Sequence, residues 1–276
     1  MRRRTFLAHS AAALGGSALI GTVGTTSATA TTQAGGGART TETLLAGTEY
    51  ASEVVTIDAP NDGPTAVVVG GMHGDEPSGY RAASDVASWE FDAGELVILP
   101  KANRPAIERG TRHNDNGDLN RKFPTGREAE TKLARAIWQL VEQADPDVVL
   151  DLHSSQGVYR THESSVGQAV FPTVVDPAPA YAQTAIDTAN DTVVPWYMPY
   201  HRYERGNSLD GSSPLLGHKV AGDLDLPGYI VESTRFILDP STAAQWTSLI
   251  AETLLARHGI PRRDGRVETT GGDKNR

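Results

Sequence analysis

Apolar and amphipathic stretches alternate along the chain, in an order that predicts the strands and helices of an α/β fold. Continuous apolar runs at residues 65–69, 96–99 and 147–152 are typical of strands covered on both faces of a sheet. Shorter apolar runs predict two further strands at residues 169–175 and 228–231.

Amphipathic segments with helical spacing separate these predicted strands. Between residues 128 and 143, for example, Leu133, Ile137 and Leu140 share one face and charged residues occupy the other. The predicted helices cover residues 77–89, 128–143, 178–190 and 240–259. Strands alternating with helices predict a single-domain mixed, mostly parallel sheet with helices on both faces.

Two long polar segments interrupt the alternation, at residues 100–127 and 195–227. Loops of this length are uncommon in a compact domain and usually carry function. We therefore expect these two segments to form the walls or the lid of a site.

The first thirty residues have the features of an export signal rather than of a fold. Arg3-Arg4-Thr5-Phe6-Leu7 resembles a twin-arginine signal, a weakly apolar stretch follows, and Ala28-Thr29-Ala30 fits a small-residue cleavage site. We predict a twin-arginine signal peptide at residues 1–30 and an extracellular or cell-surface location. The apolar stretch is too weak for a permanent membrane anchor.

The rest of the chain is predicted to be one catalytic domain at residues 49–261, between a flexible linker (31–48) and a disordered tail (262–276). The linker is rich in Thr and Gly, and the tail is polar. The chain has no cysteine and therefore no disulfide. Its net charge of −9 argues against nucleic acid as a partner. The sequence does not predict an oligomeric state.

Two histidines and two glutamates stand at or just past the ends of predicted strands. His73 and Glu76 are three residues apart at the start of a predicted helix, so that both side chains can reach one point. His153 and Glu232 each end a later strand. Ligands of open α/β sheets bind beyond the carboxyl ends of the strands. Two imidazoles and one carboxylate with an open fourth position are typical ligands of catalytic zinc.

Four motifs in this order resemble the zinc carboxypeptidase superfamily, and most closely its succinylglutamate desuccinylase/aspartoacylase branch. They are Gly71-Met72-His73-Gly74-Asp75-Glu76, Asp118-Leu119-Asn120-Arg121, Asp151-Leu152-His153-Ser154-Ser155 and Tyr229-Ile230-Val231-Glu232. The resemblance implies one Zn²⁺ per chain, bound by His73, Glu76 and His153. It also implies that Glu232 activates the attacking water and passes its proton to the leaving nitrogen.

The same resemblance implies that Asn120 and Arg121 hold a carboxylate of the substrate, while Arg112 stabilises the oxyanion of the scissile carbonyl. A planar guanidinium suits both tasks. Members of this branch carry a β-rich domain after the catalytic glutamate, whereas one predicted helix and the tail follow Glu232 here. A polar insert between Arg112 and Asn120 is a second departure.

We therefore predict a zinc-dependent hydrolase that cleaves an amide bond next to a carboxylate, with deacylation of an N-acyl amino acid as the preferred reaction. A secreted zinc carboxypeptidase acting on peptides is the first alternative. The second is a protein that binds metal or small carboxylates without turnover. An esterase acting through Ser154 or Ser155 is disfavoured, because no Gly-x-Ser-x-Gly elbow surrounds either serine.

The remaining residues with metal-binding side chains are assigned no ligand role. Asp151 has two interpretations, as a group that orients a ligand histidine or as a satisfied buried carboxylate. The other histidines are predicted to be surface or loop residues: His113, His162, His201, His218 and His258.

Overall fold

The computed structural model describes residues 29–32, 37–163, 165–236 and 238–265. Nine strands lie in these ranges, namely β1 Thr29–Thr32, β2 Ala38–Leu44, β3 Ser52–Asp58, β4 Asn61–Gly70, β5 Ala93–Leu99, β6 Val148–Ser155, β7 Ala169–Pro172, β8 Glu204–Arg205 and β9 Gly228–Thr234. The α-helices there are α1 Pro77–Val86, α2 Arg104–Arg109, α3 Lys132–Ala144, α4 Ala178–Thr192, α5 Leu216–Lys219 and α6 Pro240–Arg257. A π-helical turn at Val220–Leu224 continues α5, and 3₁₀ turns occupy Leu119–Arg121 and Pro199–His201.

The strands form one sheet in the order β1-β2-β3-β5-β4-β6-β9-β7-β8. The four central strands β5, β4, β6 and β9 run parallel. β1, β2 and β3 add antiparallel pairs at one edge, and β7 pairs antiparallel with β9 towards the other. The predicted mixed, mostly parallel sheet is confirmed, and its parallel centre is the part that carries the predicted site.

Helices cover both faces of the sheet, as predicted. α1, α4 and α6 pack on one face in a core that includes Trp246, and α3 and α5 pack on the other, where Ile137 is buried. β4 serves both cores because successive side chains of a strand point to opposite faces. Val68 accordingly belongs to the first core, and Val67 and Val69 belong to the second.

Each strand predicted from an apolar run is present, as are the four predicted helices. Their bounds differ by a few residues; α1, for example, ends at Val86 instead of near Trp89. The amide of Trp89 donates to the carbonyl of Val86 at 3.1 Å, which closes a turn after the helix.

The prediction of a flexible linker at residues 31–48 is wrong for β2. This strand pairs along its whole length with β3, from Ala38 opposite Asp58 to Leu44 opposite Ser52. β2 lies near one edge of the sheet, between β1 and β3, and is only partly buried, so it does not need bulky apolar residues; its threonines favour extended backbone.

The predicted tail also begins too early. Arg262 forms an isolated β-bridge with Phe91, and Arg263 lies 2.9 Å from Glu90 and 3.0 Å from Asp92. Residues 266–276 of the predicted tail, and residues 1–28 of the predicted signal peptide, lie outside the described residues. None of the helices in the described ranges is long and apolar enough to cross a membrane.

Candidate active site

The turn between β4 and α1 carries His73 and Glu76. Gly71 has a φ of +75°, a conformation that favours glycine. Gly74 packs so closely on α2 that an added Cβ would lie 2.0 Å from the carbonyl of Ala106. Pro77 then fixes the first turn of α1. The turn is therefore held on both sides, and both His73 and Glu76 are buried.

His153 and Glu232 come from the next two strands of the parallel centre. β6 is buried throughout, and His153 lies near its carboxyl end. β9 pairs with β6 in a register that places Glu232 directly beside His153. The carboxyl ends of β4, β6 and β9 thus bring together the four residues that the sequence selected at strand ends.

Glu76 lies between the two imidazoles. Its Oε1 is 2.8 Å from His73 Nδ1, and its Oε2 is 2.7 Å from His153 Nδ1. One ligand atom from each of the three residues lies within 4.8 Å of the other two. This is the predicted ligand set, and the cluster could hold a metal ion.

The outer nitrogen of each imidazole faces a carboxylate. His73 Nε2 lies 2.8 Å from Asp118 Oδ1, and His153 Nε2 lies 3.0 Å from Asp151 Oδ2. A carboxylate at Nε2 holds the proton there and leaves Nδ1 free for a metal, as is usual for metal-binding histidines. The donor set therefore fits Zn²⁺. Of the two interpretations of Asp151, this contact supports the orienting one.

The charges of the cluster depend strongly on one another. Burial disfavours the charged form of His153, but Asp151 and Glu76 raise its pKa well above the usual value. Burial likewise opposes protonation of His73, yet hydrogen bonds with Asp118 and Glu76 raise its pKa. A divalent cation would therefore bind here in competition with protons.

Glu232 differs from the other carboxylates of the site. Its side chain is partly buried, and its Oε2 is shielded from solvent without a hydrogen-bond partner among the described residues. Burial raises the pKa of Glu232 to about 8; His153 opposes this rise, and Glu76 adds to it. A buried oxygen without a partner is an expected property of a group that acts on a substrate or on water.

Arg112 reaches the cluster from the first long polar segment. Its guanidinium Nη1 lies 2.6 Å from Glu76 Oε1, and its Nε lies 3.4 Å from Asp118 Oδ2. The side chain remains 42% exposed and lines the cavity in front of the cluster. The predicted oxyanion-binding residue is therefore next to the predicted metal ligands.

Asn120 and Arg121 follow in the 3₁₀ turn, and they are placed differently. The Asn120 side chain is buried: its Oδ1 accepts from the amide of Leu216 at 3.1 Å, and its Nδ2 lies 3.2 Å from His153 Nε2. Arg121 is exposed at the cavity wall. Arg121 can contact a ligand, whereas the polar atoms of Asn120 already contact protein.

A cavity of about 270 Å³ lies in front of these residues. Polar residues of the cluster and of the two long segments line it, together with five apolar residues: Val166, Phe171, Leu209, Leu215 and Ile230. A larger groove of about 620 Å³, between β2, β3, α1 and α2, contains none of the predicted site residues. The second long polar segment contributes to the wall of the smaller cavity, as expected.

Sequence analysis missed two residues of this site. Asp118 lies in the motif that was selected for Asn120 and Arg121, and an acidic residue next to those two was a usable signal. His218 was predicted to be a surface or loop residue, but it is buried in α5 and lines the cavity. Nothing in its neighbouring sequence indicates this position.

Residues 62–219, more than half of the chain, match the family model of the succinylglutamate desuccinylase/aspartoacylase catalytic domain. The chain belongs to this family. The predicted resemblance is confirmed. The prediction of an enzyme of the amidohydrolase or deacylase class is confirmed at the level of the family. The matched range includes every predicted site residue except Glu232, which follows it.

Two curated relatives match about a third of the chain each. The chain is 38% identical over 107 residues to the N-alpha-acetyl-L-2,4-diaminobutyric acid deacetylase of Halomonas elongata. This match covers 36% of this chain and 31% of that protein. The chain is 39% identical over 108 residues to the N-acyl-aromatic-L-amino acid amidohydrolase (carboxylate-forming) of Xenopus tropicalis, 32% of this chain and 33% of that protein. The matches thus span about a third of the length of these two curated relatives.

A solved structure of similar fold is the product-bound cell shape determinant protein Csd4 from Helicobacter pylori. Its TM-score is 0.65 at 21% identity, over 79% of this chain and 58% of that chain. Csd4 is described as a D,L-carboxypeptidase. At this identity the similarity establishes the fold.

Proposed function

We propose that this chain is a zinc-dependent hydrolase that deacylates N-acyl amino acids, cleaving an amide bond next to a carboxylate. The observation that carries the proposal is the position of Glu232 beside His153, on the wall of the cavity that His73 also lines. The two curated relatives are named for the removal of acetyl or acyl groups from amino acids, which supports deacylation over peptide cleavage.

One zinc ion per chain would be held by His73, Glu76 and His153. The protein fixes the Nε2 atoms of the two histidines and the Oε2 atom of Glu76. When bound, zinc lowers the pKa of water and polarises the substrate carbonyl. The amide of Ser154 donates to Glu76 Oε2 at 3.1 Å, so the carboxylate is oriented by β6 itself.

Glu232 is the general base. It takes a proton from the attacking water and then donates it to the leaving nitrogen, so that the products are a carboxylate and a free amine. The pKa of about 8 for Glu232 describes the protein without a cation. A positive charge at the cluster would lower this pKa and favour the carboxylate form that accepts the proton.

The two arginines have separate tasks. Arg112, which Glu76 and Asp118 hold beside the cluster, stabilises the negative charge that develops on the carbonyl oxygen. Arg121 binds the carboxylate of the amino acid. Asn120 positions Arg121 and His153 rather than binding substrate, because its carboxamide contacts protein at both ends.

The experiment is hydrolysis of N-acetyl amino acids and of dipeptides by the zinc-loaded protein, beside Glu232→Gln. Preferred hydrolysis of N-acetyl amino acids, with at least about a hundredfold loss of rate in Glu232→Gln, supports deacylation with Glu232 as base. Preference for dipeptides would support the carboxypeptidase alternative. Metal binding without hydrolysis of either substrate class would support the binding protein.

We also propose that the protein is exported by the twin-arginine pathway, on the basis of Arg3 and Arg4 and of the small residues at 28–30. Replacing both arginines by lysine should retain the unprocessed chain inside the cell. Undiminished export of that variant would contradict the proposal.

A further inference from the structure

His218 is a buried histidine of α5 with only one ring nitrogen engaged by the protein. Its Nδ1 accepts hydrogen bonds from the amides of Asp210 at 3.2 Å and Gly211 at 3.0 Å. Both amides are donors, so Nδ1 offers them its lone pair and the proton of the neutral ring is on Nε2. Asp210 Oδ1 also lies 3.3 Å from Nδ1, and it accepts from the amide of Ser212 at 3.0 Å. The ring lines the cavity in front of the metal cluster.

The Nε2–H of His218 is therefore a hydrogen-bond donor without a protein acceptor in the described part of the chain. The atom is not fully buried, and the ring lines the cavity. Burial lowers the pKa of His218, although Asp210 opposes this effect, so the ring stays neutral near pH 7. A neutral ring with one free N–H recognises an oxygen acceptor.

The surroundings of His218 indicate which acceptor. Arg121 lines the same cavity and is close enough for its charge to lower the pKa of His218. The amide of Leu216, in the same helix as His218, donates to the side chain of Asn120, the residue before Arg121. This bond fixes α5 relative to the turn that carries the guanidinium. Two apolar residues, Leu215 just before α5 and Ile230 of β9, also line this cavity.

We infer that His218 is a substrate-binding residue whose Nε2–H donates to the carboxylate that Arg121 binds. This inference rests on the proposed function, and it assigns the amino-acid end of the substrate to the α5 side of the cavity. A carboxylate has two oxygens, one for the guanidinium and one for the imidazole. The apolar walls beside them suit an amino acid with an aliphatic side chain.

Two substitutions separate the two nitrogens of His218. In His218→Asn the side-chain oxygen can replace Nδ1 and keep the bonds to Asp210 and Gly211, but no donor remains at the position of Nε2. In His218→Gln the amide group can reach the position of Nε2, while the acceptor for the two backbone amides is lost. If His218 only holds the loop of Asp210 and Gly211, the Gln variant should bind substrate more weakly. If His218 binds the substrate, the Asn variant should bind it more weakly.

The test is calorimetric titration of zinc-loaded Glu232→Gln protein, alone and combined with each His218 variant. The ligands are N-acetyl-L-leucine and N-acetyl-L-leucinamide, which lacks the carboxylate. His218→Asn should weaken binding of the acid about tenfold and leave that of the amide within about twofold, while His218→Gln stays within about threefold of the parent for both. Undiminished binding of the acid by His218→Asn overturns the inference, and so does equal weakening by both variants.

Failure of the proposed function has a different signature. If the wild-type chain hydrolyses no N-acyl amino acid but His218→Asn still selectively weakens the acid, deacylation is wrong and the assignment of His218 stands. If the parent protein binds neither ligand, the inference is overturned together with the substrate class.

Discussion

At the scale of single residues, the candidate site consists of two histidines that each lie between two carboxylates. Glu76 is shared by both Nδ1 atoms, and Asp118 and Asp151 each hold one Nε2. The carboxylates raise the pKa of both imidazoles, although burial opposes this. A metal ion therefore displaces protons when it binds, and the outer aspartates influence how tightly it binds.

Replacing the outer carboxylates should weaken metal binding. Asp118→Asn and Asp151→Asn keep the size and one accepting oxygen at each position but remove the charge that makes the imidazole a stronger ligand. We expect each to lower zinc affinity by about 10-fold to 100-fold. The measurement is zinc competition with a chromogenic chelator at a fixed pH.

Asp115→Asn is the matched control for these variants. Asp115 belongs to the same loop as Asp118 but is exposed and lies 3.3 Å from Arg109. Its substitution should leave zinc affinity unchanged. Wild-type affinity in both Asp118→Asn and Asp151→Asn would show that the outer carboxylates do not tune the ligands.

Sequence patterns located the inner residues of the site better than the outer ones. His73, Glu76, His153 and Glu232 stand at strand ends, and the topology of a parallel sheet brings such ends together. The position of His218 depends instead on a four-residue helix inside a polar segment, and no periodic pattern predicts that helix. The buried contacts of Asn120 likewise depend on where α5 packs.

At the scale of elements, α5 is fixed to the first long polar segment by a buried cation. Lys219 is 1% exposed and its Nζ donates to the carbonyls of Pro124 at 3.0 Å and Arg127 at 2.7 Å. It also contacts the carboxylate of Asp223 and lies 4.6 Å from the centre of the Trp138 ring. One side chain thus joins the helix that carries His218 to the segment that carries Arg121.

Lys219→Met should strongly destabilise the protein. Methionine fills a similar volume but leaves Asp223 and two backbone carbonyls without their donor. We expect the free energy of unfolding to fall by about 3 kcal/mol. Urea denaturation of the variant, followed by tryptophan fluorescence, measures the change.

Lys122→Met provides the comparison for this variant. Lys122 forms a partly exposed ion pair with Glu130 at 3.4 Å, and such pairs contribute about 1 kcal/mol or less. Equal unfolding midpoints for Lys219→Met and Lys122→Met would contradict the structural role of Lys219.

The contact between the end of α6 and β9 should make stability depend on pH. His258 Nε2 lies 2.8 Å from the hydroxyl of Tyr229, and burial lowers the pKa of His258 from 6.5 to about 4, although Asp147 opposes this. Between these two pH values the unfolded chain binds a proton at His258 that the folded chain does not bind. Stability therefore falls as the pH decreases from 6.5 to 4, by about 3 kcal/mol from this group.

The measurement is the unfolding free energy of wild type and of His258→Gln at several pH values in this window. Gln keeps a polar atom near the Tyr229 hydroxyl but does not titrate. The difference between the two proteins should shrink as the pH falls, because only the wild type loses stability at position 258. A difference that stays constant with pH would contradict the assigned protonation.

Strands near the periphery of the sheet were harder to predict than central ones. The apolar runs of β4 and β6 follow from burial on both faces, so the pattern alone indicates them. β2 is partly exposed along its length and joins the sheet through pairing with β3, which no local pattern records. Its Thr-rich composition suited a linker and a partly exposed strand equally, and the distinction depended on a tertiary contact.

At the scale of the whole molecule, the parallel centre of one mixed sheet brings together His73 and Glu76, which follow β4, with His153 of β6 and Glu232 of β9. The polar segments between the strands then supply the arginines and the cavity walls. Residues 62–219 match the family model, and the fold is similar to that of Csd4. The central claim is that this edge of the sheet binds zinc through His73, Glu76 and His153.

The most direct test is the zinc content of three purified proteins after zinc loading and removal of excess metal: wild type, His73→Ala and His113→Ala. His113 is an exposed histidine of the adjacent loop whose Nε2 lies 3.7 Å from Asp118 Oδ2, beyond hydrogen-bond distance, so its variant controls for the loss of a histidine near the site. The account predicts one zinc per chain in wild type and in His113→Ala, and little in His73→Ala. Wild-type protein that retains no zinc, or His73→Ala that retains as much as wild type, would contradict it.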